Sequence, residues 1–217
     1  MKGRRLLGLY RGSAVGVRLH TAVRWRTCPF PLVEAAVPRE GRVLEVGCGH
    51  GLLSLFLALS GPARQVQGVD VDDAKVDAAL EAAGRLGPSD AHVSFVTVAK
   101  GWLPEEPADA IVIADVLYLL APGEQRRLLA ACAGCLAPGG VLVIKEVATE
   151  PRWKFRWNQV QETLSTRVLG ITEGGGGLHF VPPASMVGWL SDEDLDVESR
   201  PIDRGYPWPH HLLVARR

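Results

Sequence analysis

The chain has 217 residues, with 24 Lys plus Arg against 24 Asp plus Glu, so no whole-protein field favours nucleic acid or membrane. This length fits one domain with a sizeable buried core, and no apolar run reaches the roughly 18–20 residues needed to span a bilayer. Four cysteines (Cys28, Cys48, Cys132 and Cys135) are too few for a disulfide scaffold. Cys132 and Cys135 form a C-x2-C inside an alanine-leucine helix with no second pair. Small residues packing on one helix face is the better reading, and no metal site is assigned.

The balanced total hides an uneven distribution. Lys2, Arg4, Arg5, Arg11, Arg18, Arg24 and Arg26 all precede the first acid, Glu34. Residues 1–33 therefore form a basic arm, expected to hold one or two short helices, since Leu6, Leu7 and Tyr10 stand at helical spacing. Such an arm is suited to lying over a ligand site, to peripheral contact with anionic lipid, or to remaining a solvated face. Arg11 and Arg18 interrupt any signal-peptide core, so the expected location is cytoplasmic.

The arm leads into Arg42–Gly51, reading RVLEVGCGHG. Val43, Leu44 and Val46 suit a strand buried on both faces, and Gly47, Gly49 and Gly51 follow at alternate positions. The apolar run Leu52–Leu59 fits either a buried helix or a strand by period alone. Strand, glycine turn and helix bring backbone close to a ligand, because glycine tolerates positive φ and carries no Cβ. The next strand-like run, Arg64–Asp70, ends in a carboxylate nineteen residues after Gly51. An acid at that distance is placed to hydrogen-bond the ribose hydroxyls of a nucleoside ligand.

Further on, residues 72–86 read as a helix, with acids in the first turn and Gly87-Pro88 as its stop. Strands follow at 92–98 and 108–114, a helix at 122–136, a turn at 137–140 and a strand at 141–147. This alternation demands a parallel sheet with right-handed crossovers. The rhythm breaks at 151–180, which holds an extra helix with Trp153 and Trp157, then four glycines and Phe180. A helix at 182–190 and strands at 195–202 and 211–215 close the chain, the last two as an antiparallel hairpin.

Taken together, Glu45-Val46-Gly47-Cys48-Gly49-His50-Gly51, Val69-Asp70, Asp109–Leu117 and Leu136-Ala137-Pro138-Gly139-Gly140-Val141-Leu142 resemble the class I S-adenosylmethionine-dependent methyltransferases. The resemblance spans roughly residues 35 to 217. It implies an α/β, three-layer Rossmann-like sandwich with a seven-stranded, mostly parallel sheet of order 3-2-1-4-5-7-6 and one antiparallel strand. The whole chain would be a single methyltransferase domain: arm 1–33, cofactor-binding core 34–150, inserted helical lid 151–180, closing helix and hairpin 181–217. A dinucleotide fingerprint is the rival reading, but it needs a glycine where Leu52 stands, and it gives Glu45 no purpose.

The resemblance also implies roles. S-adenosyl-L-methionine would be the cofactor. The backbone of Gly47, Cys48, Gly49 and Gly51 would approach its methionine part, Glu45 would hold its ammonium end or the turn, and Asp70 would bind the ribose. Relatives often carry an acid after the third strand; here Ala99 and Lys100 stand there, leaving adenine to backbone groups or stacking near Val71 and Trp102. Asp115 would line the methionine side.

Active sites in open α/β sheets lie at the carboxyl ends of the strands, which makes Asp115, Tyr118, His179 and His210 the catalytic candidates. Trp153, Trp157 and Phe180 are the candidate substrate contacts, as an aromatic cover suited to a small, hydrophobic or lipid-like acceptor. After the fourth strand the run Asp115-Val116-Leu117-Tyr118 lacks the paired prolines of enzymes that methylate base or amide nitrogens, and no RNA-binding module is present, so nucleic acid is not an expected partner. The alternatives are a non-catalytic S-adenosylmethionine-binding protein, or a protein or RNA methyltransferase.

Overall fold

The computed structural model describes residues 2–87, 92–147 and 177–217. Three helices precede the first strand: α1 (Lys2–Gly8), α2 (Val15–Thr27) and α3 (Phe30–Glu34). There follow β1 (Glu40–Val46), α4 (Leu52–Ser60), β2 (Ala63–Asp70), α5 (Asp73–Ala83), β3 (His92–Thr97) and β4 (Ala108–Ala114). A 3₁₀ turn (Leu117–Leu119), α6 (Pro122–Gly134), β5 (Leu136–Val147), α7 (Pro183–Ser191), β6 (Asp196–Pro201) and β7 (His210–Arg216) complete the described elements. The strands form one sheet in the order β3-β2-β1-β4-β5-β7-β6, as expected. β1 to β5 pair in parallel, and β7 runs antiparallel to both β5 and β6.

Strand side chains alternate between two faces, and each face builds its own core. Val43, Val66, Val112, Val143 and Val214 pack in one cluster with α4, whereas Leu44, Ile111, Ile113, Ile144 and Leu213 pack in the other with α6 and α7. The ambiguous run after the glycine turn is a helix, buried from Leu52 through Ala58. Gly51, at φ 74, supplies the left-handed cap that turns the strand exit into α4. β5 starts earlier than its sequence pattern indicates. Leu136 pairs with Ala108, the register slips through the Pro138-Gly139-Gly140 turn, and pairing resumes at Ala110 and Val141.

The basic arm is not a solvated appendage. Leu6, Tyr10, Cys28, Phe30 and Val33 are each at most 2% exposed, and Trp25 meets Phe56 edge-on at 5.0 Å. Burial of each large apolar side chain contributes about 1.5–3 kcal/mol, so the apolar residues of the arm decide its position against its many charges. Arg64 fastens the end of the arm to β2. Fully buried, it pairs with Glu34 at 2.9 Å and donates to the carbonyls of Val37, Pro38 and Leu57.

Among the described residues no helix is long and apolar enough to cross a membrane. The lid expected at 151–180, with Trp153 and Trp157, lies outside the described residues except for its last four positions.

Candidate active site

The carboxyl ends of β1, β2, β4 and β5 are tied to one another by backbone and side-chain hydrogen bonds. Gly47 and Cys48 both donate their N–H to the Val69 carbonyl, at 2.8 and 2.9 Å. Gly47, Gly49 and Gly51 all hold positive φ, at 75, 51 and 74. The three glycines are required for different reasons. A Cβ on Gly47 would meet Val116 at 2.3 Å, and one on Gly51 would meet Phe95 at 2.6 Å, so packing forbids both. Among the described residues a Cβ on Gly49 would find only Lys75, at 4.0 Å. A left-handed glycine with such space beside it is where a ligand can reach the backbone.

Asp70 stands across this turn from the end of β2. Its Oδ2 accepts from Gly49 N at 2.7 Å and its Oδ1 from Asp72 N at 3.0 Å. Each carboxylate oxygen retains a further lone pair, which suits bidentate capture of a vicinal diol. Glu45, near the end of β1, is buried and accepts a hydrogen bond from Ser54 Oγ of α4. Burial pushes its carboxyl up to about 8, with Ser54 and Arg24 only partly offsetting this. Cys48 is also buried, and its thiol is held well above the ordinary range by burial and by Glu45 and Asp70.

Beyond β4 the chain enters a left-handed conformation at Asp115, φ 60, which an aspartate tolerates better than most residues. Lys145, with no exposed side-chain surface, lies 2.5 and 2.6 Å from the two Asp115 oxygens. Arg24 of α2 reaches Asp115 Oδ2 at 2.7 Å, and the Cys28 thiol approaches the same oxygen at 3.8 Å. Burial alone would raise the Asp115 pKa, but Lys145 and Arg24 hold the carboxyl well below the usual carboxylate range. Asp115 is therefore an anchoring anion and ill suited to be a general base. Next to it, Glu146 accepts from the backbone N–H groups of Val116 and Leu117, both at 2.9 Å, which fixes the path of the chain after β4. Burial and the neighbouring Asp115 raise the Glu146 pKa.

His210, at the start of β7, is 1% exposed. Its Nε2 lies 2.8 Å from the Thr27 carbonyl, which can only accept, so Nε2 carries the proton. Nδ1 is then a buried lone pair with no partner among the described residues. Burial, with Lys145 adding to it, lowers the pKa to about 4 and keeps the ring neutral near pH 7. Tyr118 stacks on Phe180 with ring centroids 5.3 Å apart. His179 is anchored by its backbone: its N–H donates to Tyr118 O at 2.7 Å and its carbonyl accepts from Gln125 at 2.8 Å.

The arm forms the roof. Tyr10 donates to the His50 carbonyl at 2.7 Å, and His20 packs its ring against that of His50 at 4.9 Å. Val71 is half exposed beside Asp70, and Ala99 and Lys100 are exposed after β3. Trp102 donates its backbone N–H to the Ala99 carbonyl at 3.1 Å and lines a cavity of about 230 Å³ with Arg42, Leu44, Gln65 and Gln67 of β1 and β2.

Sequence reasoning missed Arg24, Cys28 and Lys145. A lysine inside the apolar run VLVIKEV was a usable signal, because a charge in a buried strand needs a partner. Nothing in the local sequence of the arm could have singled out Arg24.

The sheet order, the glycine turn and the acid of β2 define a class I, Rossmann-like methyltransferase fold. Residues 43–140 match the family model described as a methyltransferase domain. The chain is 30% identical over 122 residues to a trans-aconitate 2-methyltransferase of Variovorax paradoxus, covering 56% of this chain and 44% of that protein. It is 27% identical to a ubiquinone biosynthesis O-methyltransferase of Xylella fastidiosa, covering 85% of this chain and 73% of that one. Magnesium protoporphyrin IX methyltransferase from Synechocystis, solved with S-adenosylhomocysteine bound, superposes with a TM-score of 0.67 at 19% identity, covering 100% and 93% of the two chains. The chain spans about half the length of several of the relatives it matches. Residues 43–140 thus carry a methyltransferase domain, on a fold shared with a structure that holds S-adenosylhomocysteine.

Proposed function

We propose that this protein transfers a methyl group from S-adenosylmethionine to a small, hydrophobic or lipid-like acceptor by in-line displacement. The observation that carries this reading is the open, left-handed Gly49 opposite the Asp70 carboxylate. Gly47, Cys48 and Gly49 would offer backbone to the methionine part, Asp70 would hold the ribose, and Glu45 would stiffen the turn through Ser54. Bound there, the cofactor supplies a methyl group made electrophilic by its sulfonium. The residues of this chain contribute proximity, alignment and exclusion of water. Tyr10 and His20 roof the turn, and the Arg24–Asp115–Lys145 cluster fixes the loop after β4 beside it.

On the acceptor side, the Tyr118–Phe180 stack supports an apolar wall, with Leu119 and Leu178 exposed at 42% and 37% next to it in the chain. The naming of one relative for ubiquinone biosynthesis agrees with an acceptor of this kind. For a hydroxyl acceptor, the Nδ1 lone pair of His210 is the group disposed to accept the departing proton. Asp115 and His179 would position the surrounding loops.

Titration calorimetry with S-adenosylhomocysteine, followed by incubation of methyl-labelled cofactor with fractionated cell extract, tests the proposal. Binding and label in the lipid-soluble or small-molecule pool are expected. Label confined to protein or RNA would overturn the acceptor assignment, and absence of binding would overturn the whole reading.

A further inference from the structure

One helix of this protein turns an apolar stripe outward. Val15, Leu19 and Val23 stand four residues apart on α2 and are 76%, 65% and 44% exposed. They account for three of the nine large hydrophobic side chains exposed among the described residues, and no other element holds more than one of the rest. The inner face of the same helix is occupied. Val17 and Trp25 pack on the core, Thr21 is buried, and Arg24 reaches Asp115. The stripe is therefore not an unused core face but a second face of a helix already docked. Scattered exposed aliphatics need no explanation; three in line on one helix do.

The charges around the stripe indicate what it meets. Arg11, Arg18 and Arg26 are exposed before it, beside it and at its end. No carboxylate occurs before Glu34, and Glu34 itself is buried and committed to Arg39 and Arg64. The exposed face carries aliphatics and guanidinium groups but no aromatic anchor of the kind that protein interfaces favour. Aliphatic side chains flanked by cations are the pattern of a helix lying in the plane of a lipid interface, its arginines at the level of anionic headgroups.

We propose that the outer face of α2 docks this protein peripherally on an anionic lipid surface. Three aliphatic side chains make a shallow, reversible attachment that needs the electrostatic contribution, so association falls as salt rises. Because Arg24 and His20 on the same helix reach the Asp115 and His50 side of the active site, docking sets the site next to the headgroup layer. The attachment does not depend on the methyl-transfer reading, and its test involves no catalysis.

The experiment is flotation of the full chain with vesicles of phosphatidylcholine alone or mixed with phosphatidylglycerol, at low and high salt. Recovery with the anionic vesicles only, falling at least several-fold at high salt, is expected. Leu19→Glu should abolish recovery and Arg18→Ser/Arg26→Ser should reduce it, while each variant keeps the S-adenosylhomocysteine affinity of the parent. If Leu19→Glu does not fold, Val15→Glu serves as the same test at a more exposed position. No recovery at low salt, equal recovery without anionic lipid, or recovery unchanged by these substitutions would overturn the proposal. A dimer in solution that Leu19→Glu dissociates would instead assign the face to a second copy of the chain.

Discussion

Lys145 Nζ lies 2.5 and 2.6 Å from the two oxygens of Asp115, and both side chains are shut off from solvent. One residue comes from inside β5 and the other from the turn after β4, so the pair clamps two strand ends at the site. Arg24 adds a second cation at 2.7 Å from the adjoining helix of the arm. A buried charge stripped of its partner costs far more than the pair contributes. Lys145→Met should therefore destabilise the fold by about 3–5 kcal/mol, measured by urea unfolding. Asp115→Asn keeps a residue tolerant of φ 60, and the double variant should lose less than the sum of the two single losses. Additive losses would show that the two residues act independently.

Gly49→Ala and Gly51→Ala should separate binding from stability. Both positions are left-handed, so each alanine costs about 1–2 kcal/mol of backbone strain. At Gly51 the new Cβ also collides with Phe95 and Ala79, adding about 1–3 kcal/mol of overpacking. At Gly49 it meets no atom of the described residues closer than 4.0 Å, so the main loss should appear as weaker S-adenosylhomocysteine binding in calorimetry.

Asp70→Asn keeps the shape of the side chain and removes its charge. S-adenosylhomocysteine affinity should fall by about 1–3 kcal/mol, the scale of a charge-assisted hydrogen bond. Unchanged affinity would remove Asp70 from the ribose role.

The pH dependence of stability should carry the mark of Glu45. Its folded pKa is raised to about 8 from an ordinary 4.5 by burial, so the unfolded chain releases this proton first as pH rises. The stability it contributes is full below pH 4.5 and is lost as pH climbs toward 8, by up to about 1.4 kcal/mol per unit. Glu45→Gln has no such loss, so thermal melts should show the variant gaining on the parent steadily between pH 5 and pH 8. His20 and His210 act oppositely. Both are lowered to about 4, chiefly by burial, so the folded state is penalised as pH drops from 6.5 toward 4.

The amino-acid sequence by itself determined the sheet and the glycine turn after β1. Val43–Val46, Ile111–Ile113 and Leu142–Ile144 alternate between two buried faces, and only parallel strands with crossover helices satisfy that pattern. The spacing from Gly47 to Asp70 is local enough to read, because one βα unit separates them. Tertiary structure alone decided the rest of the site. Arg24 and Asp115 are 91 residues apart, and His210 lies 183 residues from its partner Thr27. The arm was legible as basic but not as buried, since its charges mark the residues that face solvent while Leu6, Tyr10 and Phe30 decide where it packs. Helical period shows that an apolar face exists; only the packed fold shows that α2 has two faces and that, among the described residues, one is left uncovered.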